Sequence, residues 1–251
     1  MTTPERYRQF LDEHRDYLYR LEYNTFVVKS MGLIYVDTPK TAGTSIKTRL
    51  AELESDYTPT EHSASLETLS DMFIHDRAIN PLTSVTEYSI EKQEEMLFSN
   101  LWKRICVVRN PYDRIFSAWF SKILLREPGY IDTIPGYDLP YKIADEMDVY
   151  RLFEKFIDYL CKHGCDSDPH WDVQKRLLFN DSIQWTKVLK FENLQQELLD
   201  SREHFGGKKI VLERLNVSGF SPDWDMISPD TIEIIQALYG EDFDNFEYSI
   251  S

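Results

Sequence analysis

Apolar and aromatic side chains recur at Tyr7, Phe10, Leu11, Tyr17, Leu18 and Leu21, with charged residues between them. This spacing of three and four predicts an amphipathic leading helix within residues 1–24, with Thr3 as its cap and Pro4 in its first turn. After Gly32 the period changes. Leu33-Ile34-Tyr35-Val36 is an unbroken apolar run of strand type, the next residues are small and polar, and Ser45 to Leu53 returns to helical spacing. Residues 33–53 therefore read as a strand, a loop and a helix. A second unit of the same kind covers 104–125. Its run Ile105-Cys106-Val107-Val108 is too apolar to face water on either side, which predicts an interior parallel strand. Asn110 and Pro111 then make a cap and first-turn pair that opens a helix through Ile115, Phe116, Trp119 and Ile123.

Residues 126–147 hold Pro128, Gly129, Pro135, Gly136 and Pro140 and form the longest expected loop, of the length that serves as a lid or a binding wall on the acceptor side. Val149, Leu152, Phe153, Phe156, Ile157 and Leu160 predict a strongly periodic helix stopped by Gly164, with Cys161 helping to fill its apolar face. Val188 to Phe191 reads as a further strand with Asn193 capping the helix after it, and Ser228-Pro229 opens a last helix expected to run to Gly240. Strands alternating with helices predict an α/β fold: a single domain over 1–251 with a mainly parallel sheet flanked by helices.

Charge narrows the function. The chain has 251 residues, with 28 Lys plus Arg against 43 Asp plus Glu, a net charge of −15. A surface that grips nucleic acid needs the opposite sign, so a nucleic-acid partner is excluded and any anion must be small and locally caged. With 42% apolar and 14% aromatic residues the chain can bury a large core. The first residues carry charges from Glu5 onward and no apolar stretch long enough for a signal peptide or a membrane span, so a cytoplasmic location and no membrane partner are expected. Cys106, Cys161 and Cys165 cannot all pair, which fits a reducing compartment.

The loop of the first unit reads Thr38-Pro39-Lys40-Thr41-Ala42-Gly43-Thr44-Ser45. Small residues from Ala42 to Ser45 let backbone N–H groups approach an anion at a helix amino terminus, Lys40 adds a point charge, and Thr44 and Ser45 add hydroxyl donors. Nucleotide triphosphatases place the lysine after the second glycine of such a loop, whereas here it precedes the glycine. A lysine in a polar turn is the plain structural alternative. The second unit supplies Arg109 at its strand end and Ser117 eight residues later, about two turns into the helix, where hydroxyl and guanidinium can share one phosphate. An Arg109–Asp113 salt bridge on a surface helix is the alternative there. Two anion sites at the carboxyl ends of neighbouring strands suit a nucleotide with two separated phosphates.

Together the segments carry a resemblance. PKTAGTSI resembles the 5′-phosphosulfate loop of sulfotransferases, and VVRNPYDRIFSAW resembles their 3′-phosphate motif with the arginine-to-serine interval kept. Flanking segments, among them Glu61 to Leu66, Pro169-His170-Trp171 with Gln174, Lys190 to Leu194, Leu215 to Ser218 and Glu241 to Tyr248, are similar to the carbohydrate-type family that includes heparan sulfate 2-O-sulfotransferase and small soluble bacterial members. The resemblance spans about 33 to 248 and implies a P-loop-like sulfotransferase fold. It implies a donor, 3′-phosphoadenosine 5′-phosphosulfate, leaving adenosine 3′,5′-bisphosphate after transfer of its sulfuryl group to a hydroxyl or amine, with no metal required. By position, Lys40 and the backbone of Thr41, Ala42, Gly43, Thr44 and Ser45 would hold the 5′-phosphosulfate. Arg109 and Ser117, with Ser218 as a weaker match, would hold the 3′-phosphate.

A histidine suits the base that an acceptor hydroxyl needs. His62 falls in a segment resembling the family's catalytic histidine motif, although Glu61 replaces the usual glycine; His170 and His75 are the alternatives. Cys161, His163, Cys165 and His170 invite a zinc reading, but their spacing lacks a regular paired-ligand signature. The Trp residues 119, 171, 185 and 224 are expected mostly in the core. Two other functions fit an anion loop: a nucleotide-triphosphate phosphotransferase, which would need magnesium, and a nucleotide-binding module without turnover. The net charge favours a small-molecule acceptor or a short, weakly charged saccharide over a highly sulfated polymer.

Overall fold

The structure, a computed structural model, describes residues 5–55, 80–127, 146–212 and 220–250. In chain order the helices are α1 (Glu5–Glu13), α2 (Tyr19–Tyr23), α3 (Gly43–Ser55), α4 (Ile90–Phe98), α5 (Pro111–Trp119), α6 (Glu146–His163), α7 (Gln174–Leu177), α8 (Leu194–Asp200) and α9 (Pro229–Asn245). The strands are β1 (Thr25–Val28), β2 (Leu33–Val36), β3 (Lys103–Val108) and β4 (Lys187–Lys190). The chain gathers into two compact units, Met1–Val108 with Arg176–Asn216, and Arg109–Lys175 with Val217–Ser251.

The first unit contains a four-stranded sheet in the order β1-β2-β3-β4. β2 pairs parallel to β3, and β3 parallel to β4, whereas β1 runs antiparallel to β2. The sheet is mixed and mainly parallel, as the alternation of strands and helices requires. β3 is interior, and Ile105 to Val108 are all buried, which is why its sequence shows no polar alternation. On one sheet face Leu33, Tyr35, Ile105 and Val107 pack with Ile46 and Leu50 of α3 and with Leu194 and Leu198 of α8. Burying each such side chain contributes about 1.5–3 kcal/mol.

The sequence pattern passed over β1. Thr25-Phe26-Val27-Val28 is fully buried and joins β2 through a short turn that Gly32 closes with φ 56. The leading helix is two helices, α1 and α2, separated by a 3₁₀ turn over Arg15–Tyr17. Tyr7 and Phe10 are buried, and Phe10 meets Phe98 and Phe179 edge-on at 5.4 and 5.2 Å.

The second unit is helical. Ile115, Phe116 and Trp119 of α5 share a core with Phe153, Phe156, Ile157 and Leu160 of α6 and Ile235, Tyr239 and Phe243 of α9. Asn110 Oδ1 accepts the Tyr112 N–H at 3.0 Å and Pro111 takes the first helical position, as the sequence predicts. Past Trp119 the helix continues as a π-helical turn over Phe120–Leu124. α6 ends at His163, where Gly164 adopts φ 83.

Three local expectations need correction. Cys161 is exposed and Cys165 is buried, so the apolar face of α6 is completed by its aromatic and aliphatic residues. Asn193 occupies the cap position of α8, but its side chain makes no capping bond. α9 does not stop at Gly240: Tyr239 takes φ −114, ψ 17, and the helix continues to Asn245 because Asp242 and Phe243 are buried beyond the kink. Of the expected loop 126–147, residues 128–145 lie outside the described residues, and Glu146 and Met147 already belong to α6.

Candidate functional site

In the first unit the loop between β2 and α3 leaves the carboxyl end of β2 beside that of parallel β3. Lys40 and Ala42 both have positive φ, 72 and 63. Left-handed backbone at non-glycine residues costs about 1–3 kcal/mol each and persists only where the surroundings enforce it. Asp37, at the start of the same loop, is the centre of a buried polar cluster. Its Oδ2 pairs with Lys47 Nζ at 2.9 Å, its Oδ1 accepts the Tyr35 hydroxyl at 3.2 Å, and its carbonyl accepts from Arg20 Nη2 at 2.5 Å. Burial, with Asp37 adding to it, holds the Tyr35 hydroxyl well above the ordinary tyrosine value, so it stays a donor. Arg20 is wholly buried and also donates to the Leu177 carbonyl at 2.8 Å.

Gly43 opens α3 directly against this carboxylate. A Cβ there would lie 1.9 Å from Asp37 Oδ1, so only glycine lets the helix start this close to the strand end. Thr41 Oγ1 donates to the Thr38 carbonyl at 2.7 Å and closes the turn that carries Lys40. The loop thus brings Lys40 to Ser45 to the amino terminus of a thirteen-residue helix, where backbone donors and the helix dipole favour an anion. Thr38 Oγ1, buried beside it, has no partner among the described residues.

In the second unit Arg109 stands immediately before the Asn110 cap, and Ser117 is buried within α5. The backbone of Arg109 is gripped by a side chain: Gln174 Oε1 accepts its N–H at 2.9 Å and Gln174 Nε2 donates to its carbonyl at 2.9 Å. Asp242 accepts the N–H groups of Gln174 and Lys175, both at 2.8 Å. Burial raises the Asp242 carboxyl from its ordinary value, while Arg114 and these backbone donors pull it back. Arg114 itself is buried and donates to the carbonyls of Asp172 and Pro169 at 2.6 and 2.9 Å. Asp113 Oδ1 accepts from Trp224 Nε1 at 3.2 Å.

His170 lies in the same unit. Its Nδ1 meets Asp168 Oδ1 at 2.7 Å, and its own N–H donates to that oxygen at 2.8 Å. Since an ionised carboxylate only accepts, Nδ1 carries the proton and Nε2 is the basic nitrogen. Burial lowers the His170 pKa; Asp168 raises it, and Lys122 and Arg114 lower it further. His62, His75 and Ser218 lie outside the described residues. Among the described residues no group of three or more His, Cys, Asp or Glu side chains is arranged to hold a metal ion, and Cys161, His163, Cys165 and His170 are not brought into one. Nor is any helix among them long and apolar enough to cross a membrane.

The sequence singles out Lys40, the small loop residues, Arg109 and Ser117 as candidates, and gives no signal for roles of Arg20, Asp37, Lys47, Arg114 or Asp242. Asp37 and Lys47 stand ten positions apart across a loop, and no local period pairs them. Asp242 and Gln174 appeared only inside segments of resemblance, without a role.

The mixed sheet flanked by helices, with the loop between β2 and α3, defines an α/β protein of the P-loop-like class. The sulfotransferase family model matches residues 23–249, and the chain belongs to that family. Carbohydrate sulfotransferase 10 of Gallus gallus is 29% identical over 164 residues, covering 63% of this chain and 41% of that protein. The match thus spans about two fifths of the length of that curated relative. No solved structure matches the chain.

Proposed function

We propose that the protein transfers the sulfuryl group of 3′-phosphoadenosine 5′-phosphosulfate to a hydroxyl or amine of a saccharide or small molecule, its two units working as one sulfotransferase domain. The observation that carries this reading is the Lys40 loop. Its two left-handed residues lie at a helix amino terminus that starts against the Asp37 carboxylate, itself paired with Lys47, a geometry suited to a phosphosulfate. The backbone of Thr41 to Ser45 and the Lys40 ammonium would hold the 5′ end of the donor. Arg109 and Ser117, with Ser218, would hold its 3′-phosphate.

When bound, the donor supplies an activated sulfuryl group whose departure leaves negative charge on a phosphate oxygen. Lys40 and the loop amides stabilise that charge as it develops. His62 takes the acceptor proton, and His170, whose Nδ1 is tied to Asp168, is the second candidate for that role. The name of the chicken relative supports a saccharide acceptor. The net charge of −15 favours one that is short and weakly charged.

Calorimetry with adenosine 3′,5′-bisphosphate and AMP tests the donor assignment. The bisphosphate is expected to bind about ten- to a hundredfold more tightly, and Arg109→Ala to remove most of that preference, because one charge-assisted contact is lost. Lys40→Ala should weaken both nucleotides. Equal affinities in the wild type would overturn the assignment. Mass spectrometry of sulfated products from a saccharide panel tests turnover. His62→Ala should lower kcat by about two to four decades without changing nucleotide affinity. If that loss follows from His170→Ala instead, the base is His170.

A further inference from the structure

Arg109 sits where β3 hands over to α5, at a point where its backbone N–H and carbonyl have left the sheet ladder. A single side-chain amide replaces the missing strand. Gln174 accepts the Arg109 N–H and donates to the Arg109 carbonyl, both at 2.9 Å, and it is wholly buried. The amide's orientation is fixed by its partners. Nε2 faces two acceptors, the Arg109 carbonyl and Asp242 Oδ2 at 3.3 Å, while Oε1 faces a donor. A flipped amide would place oxygen against oxygen twice and nitrogen against N–H once.

Gln174 is held in turn by Asp242, which is wholly buried and accepts the backbone N–H groups of Gln174 and Lys175. Arg114, in α5, ties down the turn before Gln174 through the carbonyls of Pro169 and Asp172. A residue of the last helix is therefore linked to the main chain of Arg109 through one buried amide. Such a network specifies a backbone conformation because leaving any member unpaired costs more than the bond itself contributes.

We propose that Gln174 is the positioning residue that sets the main-chain conformation from which Arg109 reaches a 3′-phosphate, with Asp242 holding Gln174 in place. The proposal rests on the donor reading above. It assigns selectivity for the 3′-phosphate to a side chain that does not itself touch the nucleotide.

The experiment is calorimetry of adenosine 3′,5′-bisphosphate and AMP on the 251-residue chain and on its Gln174→Met and Gln174→Glu variants. Met keeps the side chain's length without its strong donor and acceptor. Glu keeps the acceptor for the Arg109 N–H but sets oxygen against the Arg109 carbonyl and Asp242. In both variants the ratio of the two affinities is expected to fall by about five- to fiftyfold, the worth of a displaced charge-assisted contact, with AMP affinity changed less than about threefold. Loss of stability alone would lower both affinities together and leave the ratio unchanged. A folded variant that keeps the wild-type ratio overturns the proposal. If neither Gln174 variant folds, Asp242→Asn decides in the same way, with a smaller fall expected and an unchanged ratio refuting. A wild-type protein without the preference would overturn the donor reading itself, so the two failures are distinct.

Discussion

The Asp37 carboxylate meets Lys47 Nζ at 2.9 Å in a buried setting and occupies the space a side chain on Gly43 would need. Lys47 Nζ also lies 5.0 Å from the centre of the Phe26 ring, so its charge has an aromatic face as well as a carboxylate. The pair joins the end of β2 to the second turn of α3 and so fixes the distance the loop must span. Removing one partner leaves the other charge buried and unpaired, which typically costs about 3–5 kcal/mol, whereas replacing both can be nearly neutral. Asp37→Asn and Lys47→Met are each expected to destabilise strongly in urea unfolding. The double variant should recover a large part of the sum, with a coupling above about 1 kcal/mol. Strictly additive losses would show that the pair does not act as a unit.

The last helix shows how far the elements could be read from the sequence. Ser228 and Pro229 announce its start, and the Ser228 hydroxyl does accept the Thr231 N–H, but Gly240 predicted its end. The end lies five residues later because burial of Asp242 and Phe243 outweighs the local cost of glycine, a tertiary effect that no local signal carries. The same limit hid β1, whose four residues become a strand only because β2 lies beside them. It also hid the partners of Asp37 and Arg109, which come from distant positions. What was legible is what local chemistry fixes: the apolar run of β3, the Asn110-Pro111 helix start and the lysine-bearing loop. Gly240 offers a direct test at this scale. A Cβ there meets nothing within 4 Å, so Gly240→Ala should stabilise by about 0.5–1 kcal/mol through the lost entropy of the unfolded chain. A lower urea midpoint would mean that the kink at Tyr239 needs the glycine.

At the scale of the whole chain, protonation joins these local environments to stability. His170 is held largely out of water between Asp168 on one side and the charges of Lys122 and Arg114, and burial is the main reason its pKa is lowered. His14 is lowered too, again mainly by burial. In the unfolded chain both take up a proton near the usual pKa of about 6.5, while the folded state resists it. Below that pH the unfolded state binds more protons, so stability falls as the pH drops from about 6.5 toward the folded pKa and is fully present above it. Asp242 works in the opposite sense. Its raised carboxyl pKa lets the folded state take up a proton first, which offsets part of the loss at lower pH. One fully differing proton gives a slope of at most about 1.4 kcal/mol per pH unit. His170 should dominate that slope, because solvent screens the less buried His14. Urea unfolding at several values between pH 7.5 and 5 is therefore expected to show a midpoint that declines with acid. His170→Asn, whose amide can still donate to Asp168, should flatten that decline without lowering the midpoint much at pH 7.5. A variant as acid-sensitive as the wild type would remove His170 as the source and leave the carboxylates to explain the acid limb.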